Sequence, residues 1–280
     1  MRDMGVEDNG SGLKVYAARC RGASHKREGK PCQDSFAIWN GIIDEKQISI
    51  LVVADGHGGE KYDLSQYGSA LAAEAAIDEI KKIYHKFSNS KNLLLRSLKY
   101  DFPDRVLRQW KAYILEDIKE RENFDGVEIN EKILKRYGTT VLIALVSPEG
   151  VFVGQLGDGN ILIIENNGEV ECPIISTDEL IGNETYSMTT CDAPRLWNIK
   201  TYTVKEKALV VLSTDGLSNC FKNDNGFKKF AVSLYKNIEV YGFSKVTGDL
   251  PAWIEGASQM GSGDDITVAL AIVDSNFIKI

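Results

Sequence analysis

The chain has 280 residues, with 33 Lys plus Arg against 40 Asp plus Glu, a formal net charge of −7, and 43% hydrophobic residues. Those proportions are globular and exclude disordered, collagen-like and coiled-coil chains. The acidic balance also argues against nucleic acid as a partner, because affinity for a phosphate backbone rests on stripes of Lys and Arg. No apolar run approaches the ~18 residues of a spanning helix, so no membrane partner is expected. The start, Met1 to Gly12, is polar, lacks the apolar core of a signal peptide and is expected to be flexible. The cysteines (Cys20, Cys32, Cys172, Cys191, Cys220) are odd in number and scattered, without C-x-x-C spacing. They read as reduced thiols in a cytoplasmic protein.

Along the chain the apolar pattern switches between two periods. Val- and Ile-rich runs bounded by Gly, Asp or Asn predict strands at Leu13–Cys20, Phe36–Trp39, Ile48–Ala54, Thr139–Val146, Val151–Leu156, Ile161–Glu165, Ala208–Ser213 and Ile266–Val273. Three- and four-residue steps from Leu64 to Phe87 predict a long amphipathic helix. Pro103 to Asn123 reads as another, and weaker patterns fit Asn130–Tyr137, Phe227–Lys236 and Gly248–Met260. The three consecutive strands from Thr139 to Glu165 are joined by short turns, which predicts an antiparallel meander rather than a βαβ chain. The class is therefore α+β, with helices covering antiparallel sheets. Length alone admits two domains, but with no linker, repeat or low-complexity tract a single domain over 1–280 is expected.

One feature recurs. An apolar strand ends in Asp-Gly at Asp55-Gly56, Asp158-Gly159 and Asp215-Gly216. Gln33-Asp34 and Gly263-Asp264-Asp265 share the character. Asp-Gly is a common hairpin turn, and that explanation suits Asp158-Gly159, which strands flank closely. It suits Asp55 and Asp215 less well, because no strand follows either at hairpin distance. The alternative is that several strand ends deliver carboxylates to one point. Packed carboxylates repel and raise one another's pKa, and a divalent cation removes that cost. Oxygen ligands without Cys select a hard ion, Mg2+ or Mn2+. Two such ions can clamp a phosphoryl group and activate water. No P-loop, H-E-x-x-H or G-x-S-x-G motif competes.

The ordered blocks Gln33-Asp34, Asp55-Gly56-His57-Gly58-Gly59, Gly138-Thr139-Thr140, Gly157-Asp158-Gly159, Ser213-Thr214-Asp215-Gly216 and Gly263-Asp264-Asp265-Ile266-Thr267 resemble the metal-dependent Ser/Thr protein phosphatases of the protein phosphatase 2C type. The resemblance implies a four-layer α-β-β-α sandwich of two antiparallel sheets flanked by helices, with a dinuclear Mn2+ or Mg2+ centre at one edge. It implies that Asp55 bridges two ions, that the Gly56 carbonyl binds one, and that Asp215 and Asp264 hold one from the other side. Asp34 acts at the same centre through bound water, Asp158 matches the residue that bacterial members use for a third, weaker ion, and His57 is the candidate general acid. The implied partners are phosphorylated proteins in signalling, met by a monomer.

Two departures stand out. Gln33 replaces a Glu that is usual in the family, and the family's phosphate-gripping Arg falls at Gly29. His25, Lys26, Arg27 and Lys30 surround that gap and are candidates to hold phosphate, or else form a solvated basic loop. Asp264 is taken as the ligand of its pair and Asp265 as doubtful. The segment 166–203 is expected to be a flap, where Arg195 and Trp197 either touch a phosphopeptide or serve as a surface cation and a packed ring. The expected activity is hydrolysis of phosphoserine and phosphothreonine. The alternatives are a pseudophosphatase that binds without turnover and a phosphohydrolase of small esters.

Overall fold

A computed structural model of the chain describes residues 4–8, 13–123, 126, 128–174, 185–275 and 277–278. Eleven strands are assigned among them: β1 (Met4–Asp8), β2 (Lys14–Cys20), β3 (Ser35–Ile43), β4 (Lys46–Ala54), β5 (Val141–Ser147), β6 (Gly150–Leu156), β7 (Asn160–Glu165), β8 (Val170–Glu171), β9 (Asn198–Tyr202), β10 (Lys207–Ser213) and β11 (Ile266–Asp274). They form a six-stranded sheet, β1-β2-β11-β10-β7-β8, and a five-stranded sheet, β3-β4-β5-β6-β9, with antiparallel pairing throughout. The helices are α1 (Ala23–Glu28), α2 (Ser65–Phe87), α3 (Lys91–Tyr100), α4 (Phe102–Glu122), α5 (Glu131–Arg136), α6 (Asp215–Ser218), α7 (Asp224–Tyr241) and α8 (Phe243–Met260).

Burial on both faces explains why the central strands read as nearly continuous apolar runs. In β4, Ile48, Ile50 and Val52 pack under α2, α3 and α4, while Leu51 and Val53 point into the layer between the sheets. In β10, Ala208, Val210 and Leu212 fill that same inner layer, and Leu209 and Val211 pack under α7 and α8. Three apolar layers therefore separate four layers of structure, α-β-β-α, as the resemblance implies. The alanine run of α2 (Ala72, Ala73, Ala75, Ala76) is fully buried. Its small side chains let the helix lie close on the five-stranded sheet.

Within the start of the chain, Met4–Asp8 pairs with the outer edge of β2 from Met4↔Ala18 to Asp8↔Lys14. An exposed strand edge offers unpaired backbone groups to such a segment. Residues 1–3 and 9–12 lie outside the described residues, as do 175–184 of the expected flap. One sequence expectation, the meander, is corrected: it stops after one hairpin. β5 and β6 pair as expected, but β7 leaves for the other sheet, where it joins β10 and β8, and β9 takes the edge of β6. Asp158-Gly159 is thus a crossing between sheets. Gly157 (φ 96°) and Gly159 (φ 98°) allow the chain to turn that sharply.

Candidate metal and phosphate site

The topology brings the acidic strand ends together. The register Ser35↔Ala54 in the β3–β4 pair sets Asp34 and Asp55 side by side at one end of the five-stranded sheet. The register Ser213↔Val268 does the same for the loop holding Asp215 and the turn before β11 holding Asp264 and Asp265. A buried hydrogen bond ties the two sheets at this end, from Thr214 Oγ1 to Asp34 Oδ2 at 2.8 Å. Asp158 arrives on the crossing from β6. Gly56 is required by packing: a Cβ there would lie 2.6 Å from the Gln33 carbonyl oxygen. Gly216 is tighter still, with the Asp265 carbonyl oxygen 2.0 Å from a Cβ position.

The carboxylates feel one another strongly. Burial, then the charges of Asp34, Asp215, Asp158 and Asp264, pushes Asp55 well above the ordinary carboxylate range. Burial, then Asp265, does the same to Asp34, against the Thr214 hydroxyl that favours its charged form. Burial, then Asp158 and Asp264, raises Asp215, while a hydrogen bond with Asp55 and another from Asn219 Nδ2 (3.0 Å) pull the other way. Asp34 is almost fully buried, Asp55, Asp158 and Asp215 are half-buried, and Asp264 is exposed. Among the described residues no group of three or more His, Cys, Asp or Glu side chains stands close enough together to hold a metal ion. The donor chemistry nevertheless fits a hard divalent cation, being all carboxylate with a glycine carbonyl beside it. Crowded, partly desolvated carboxylates are the condition that such an ion relieves.

Two residues take roles that sequence reasoning did not foresee. Asp265 is buried and accepts from the backbone N–H groups of Gly22 and Gln33, each at 2.6 Å. Its other neighbour is His25, whose Nδ1 lies 3.0 Å from Asp265 Oδ2. Burial alone would raise Asp265, but His25 and those two N–H groups outweigh it and hold the carboxyl below its usual value. Asp265 therefore ties α1, the Gln33-Asp34 segment and the last motif together. Gln33 is a clamp as well, with Nε2 donating to the His57 carbonyl (2.8 Å) and to Ser65 Oγ (2.5 Å). A neutral amide can donate to the His57 carbonyl, which a carboxylate in its place would repel, whereas the Ser65 hydroxyl could serve either.

His57 sits at the mouth of the site. Its backbone N–H donates to the Gly138 carbonyl at 3.0 Å, and its ring lies tilted against Tyr62 with centroids 5.0 Å apart. Burial lowers its proton affinity, and the Asp158 charge opposes that. The residue borders a cleft of about 950 Å3 that also takes in Lys61, Lys111 and Lys135. Thr185, on its far wall, donates to Asp158 at 2.7 Å.

The basic loop is less free than its sequence suggests. His25 is engaged by Asp265, which raises its proton affinity despite burial. Lys26 pairs with Glu255 and Lys30 with Glu28, both at 2.5 Å, while Arg27 is exposed. Gly29 ends α1 in the left-handed conformation, φ 72°. On the other side, Trp197 packs edge-on against Phe102 at 5.3 Å and Arg195 lies 3.7 Å from Asp192. Both match the packed-ring and surface-cation reading.

This fold and site meet a family model described as Protein phosphatase 2C, which matches residues 21–255. The chain belongs to the protein phosphatase 2C family, a class of metal-dependent Ser/Thr phosphatases. Among solved structures it is similar to a bacterial serine phosphatase, with a TM-score of 0.54 at 20% identity over 93% of this chain and 97% of that one. It is also similar to the catalytic domain of the serine/threonine protein phosphatase PstP in complex with 2 manganese ions (0.53, 16%, 94% and 99%). RsbX in complex with magnesium is a third (0.51, 17%, 96% and 98%). At these identities the likeness shows the shared fold. A search of curated proteins found no match.

Proposed function

We propose that this protein hydrolyses phosphoserine and phosphothreonine monoesters in other proteins, with two hard divalent ions, Mn2+ or Mg2+, held at the carboxylate cluster. One observation carries the reading: burial and mutual charge push Asp34, Asp55 and Asp215 above their ordinary pKa in an all-oxygen site. The manganese-bound and magnesium-bound relatives support it. Asp55, the Gly56 carbonyl, Asp215 and Asp264 would hold the ions, with Asp34 orienting water and Asp158 completing the cluster. When bound, such ions neutralise phosphoryl charge and lower the pKa of water to near neutrality.

The chain's own residues do the rest. Thr214 fixes the Asp34 carboxylate by its hydroxyl. Gln33 and Gly138 pin the backbone on either side of His57. The His57 imidazolium donates a proton to the serine or threonine oxygen as the P–O bond breaks. Burial lowers its proton affinity overall, and the Asp158 charge offsets part of that loss. A positioned acid of this kind contributes on the order of 10²–10⁴-fold. The described residues act as one phosphatase-like domain, because the proposed ligands run from Asp34 to Asp264.

A second reading has its own observation. Gly29 stands where the family grips phosphate, and Lys26 and Lys30 are neutralised by Glu255 and Glu28. That arrangement favours a catalytically weak protein that binds phosphoproteins. Phosphate release from a phosphoserine peptide, a sugar phosphate and a nucleotide, each with Mn2+ and with EDTA, separates the readings. Metal-dependent release from the peptide above the small esters supports the enzyme. A folded chain inert toward every substrate supports the binding protein.

A further inference from the structure

The cleft beside His57 is far larger than a phosphoryl group needs. At about 950 Å3 it has room for residues on one flank of a phosphorylated side chain. Its floor is apolar, with Leu107, Leu134, Met188 and Pro194. Its rim is not. Three elements distant in sequence each place a lysine there: Lys61 from the short 3-10 helix Glu60–Tyr62, Lys111 from α4 and Lys135 from α5. Among the described residues none of the three has an ion-pair partner, although Lys61 Nζ lies 4.9 Å over the Tyr62 ring. The basic loop around Gly29 differs, because Lys26 and Lys30 are each paired off. Glu131 and Asp192 also line the cleft, and Asp192 faces Arg195. On a chain with a net charge of −7, the cleft is thus a local excess of positive charge beside a cluster of aspartates.

We infer that Lys61, Lys111 and Lys135 select phosphoprotein substrates whose phosphosite is flanked by Asp or Glu. The inference rests on the phosphatase reading above and adds a specificity to it. Flanking carboxylates placed along the rim meet unpaired ammonium groups over an apolar floor. Exposed pairs of this kind are individually weak, so two or three acting together should give roughly a three- to tenfold preference. The preference should shrink as salt shortens the screening length.

The test measures fluorescence anisotropy of labelled peptides carrying a non-hydrolysable phosphonate analogue of phosphoserine, on the full chain loaded with Mn2+. One peptide carries Glu on both flanks and another carries Ala. The expected result is roughly three- to tenfold tighter binding of the acidic peptide at low salt, lost in the triple variant Lys61→Ser, Lys111→Ser, Lys135→Ser and reversed by Lys135→Glu. Circular dichroism confirms that the variants fold, as lysines outside the core should allow. Equal affinity for the two peptides, or a preference that survives the triple variant, overturns the inference. Equally tight binding of the unphosphorylated acidic peptide also overturns it. Turnover of p-nitrophenyl phosphate by the same preparation is measured alongside. Its loss would count against the phosphatase reading, while the anisotropy ratio still decides the cleft.

Discussion

The aspartates of this site are not equivalent, and their surroundings sort them. Asp265 is buried, accepts from two backbone N–H groups and lies 3.0 Å from His25 Nδ1, so its carboxylate is already engaged within the scaffold. Its neighbour Asp264 is exposed, and its charge reaches Asp55 and Asp215. Adjacent residues of one type thus divide into a scaffold and a proposed ligand. His57 is the other residue whose surroundings decide its task. A general acid matters most when the leaving group is a poor one, as an alkoxide is. His57→Gln should therefore slow release from phosphoserine peptides by about 10²-fold and release from p-nitrophenyl phosphate far less. Steady-state rates on the two substrates check this, and equal losses would remove His57 from the proton transfer.

At the scale of elements, α2 is held against its surroundings by a missing side chain. A Cβ at Gly68 would sit 1.9 Å from the Tyr137 carbonyl oxygen, and the Gly68 carbonyl accepts from Trp110 Nε1 at 3.0 Å. Helix propensity alone would make Gly68→Ala stabilising by about 1 kcal/mol. The backbone clash reverses that sign, and overpacking typically costs about 1–3 kcal/mol. Thermal unfolding should show Gly68→Ala melting several degrees lower. An unchanged or higher melting temperature would mean that α2 and the Tyr137 segment yield. The same scale shows what the sequence made legible. The eight predicted strands exist because burial on one or both faces left a clear apolar run in each. β9 went unread because its residues Asn198–Tyr202 are mostly exposed and polar, and its place is set by the edge of β6. α3 left a signal, Leu94 and Leu98 one turn apart, both buried. The crossing at Asp158 was misread because a short Asp-Gly link looks the same whether it closes a hairpin or changes sheet. Asp55, Asp158 and Asp215 were legible as strand-end Asp-Gly motifs, and Asp34 and Asp264 as acidic residues just before strands. The clamps made by Gln33 and Asp265 were not, since each depends on partners more than twenty residues away.

For the whole molecule, the acidic cluster links folding, protons and metal. Asp34, Asp55 and Asp215 have pKa values raised on folding, so the folded chain binds more protons than the unfolded one above the ordinary carboxylate pKa. Stability of the metal-free protein should therefore fall as pH rises from that value through the raised ones. A bound cation stabilises by mass action, about 2.7 kcal/mol at a hundredfold excess over Kd. It competes with those protons. Adding Mn2+ should raise the melting temperature clearly near pH 7.5 and much less near pH 5. Scanning calorimetry at the two values checks it, and an equal shift at both would separate the metal from these carboxylates.

The most direct measurement is the initial rate of phosphate release from a phosphoserine peptide as free Mn2+ is titrated, for the native chain and for Asp215→Asn. The expected result is a saturable dependence on Mn2+, abolished by EDTA, with the folded variant at least about 100-fold slower, the order expected when transition-state charge loses a ligand's worth of stabilisation. A rate independent of Mn2+, or a folded Asp215→Asn protein as fast as the native chain, would contradict a metal-dependent phosphatase built on this carboxylate cluster.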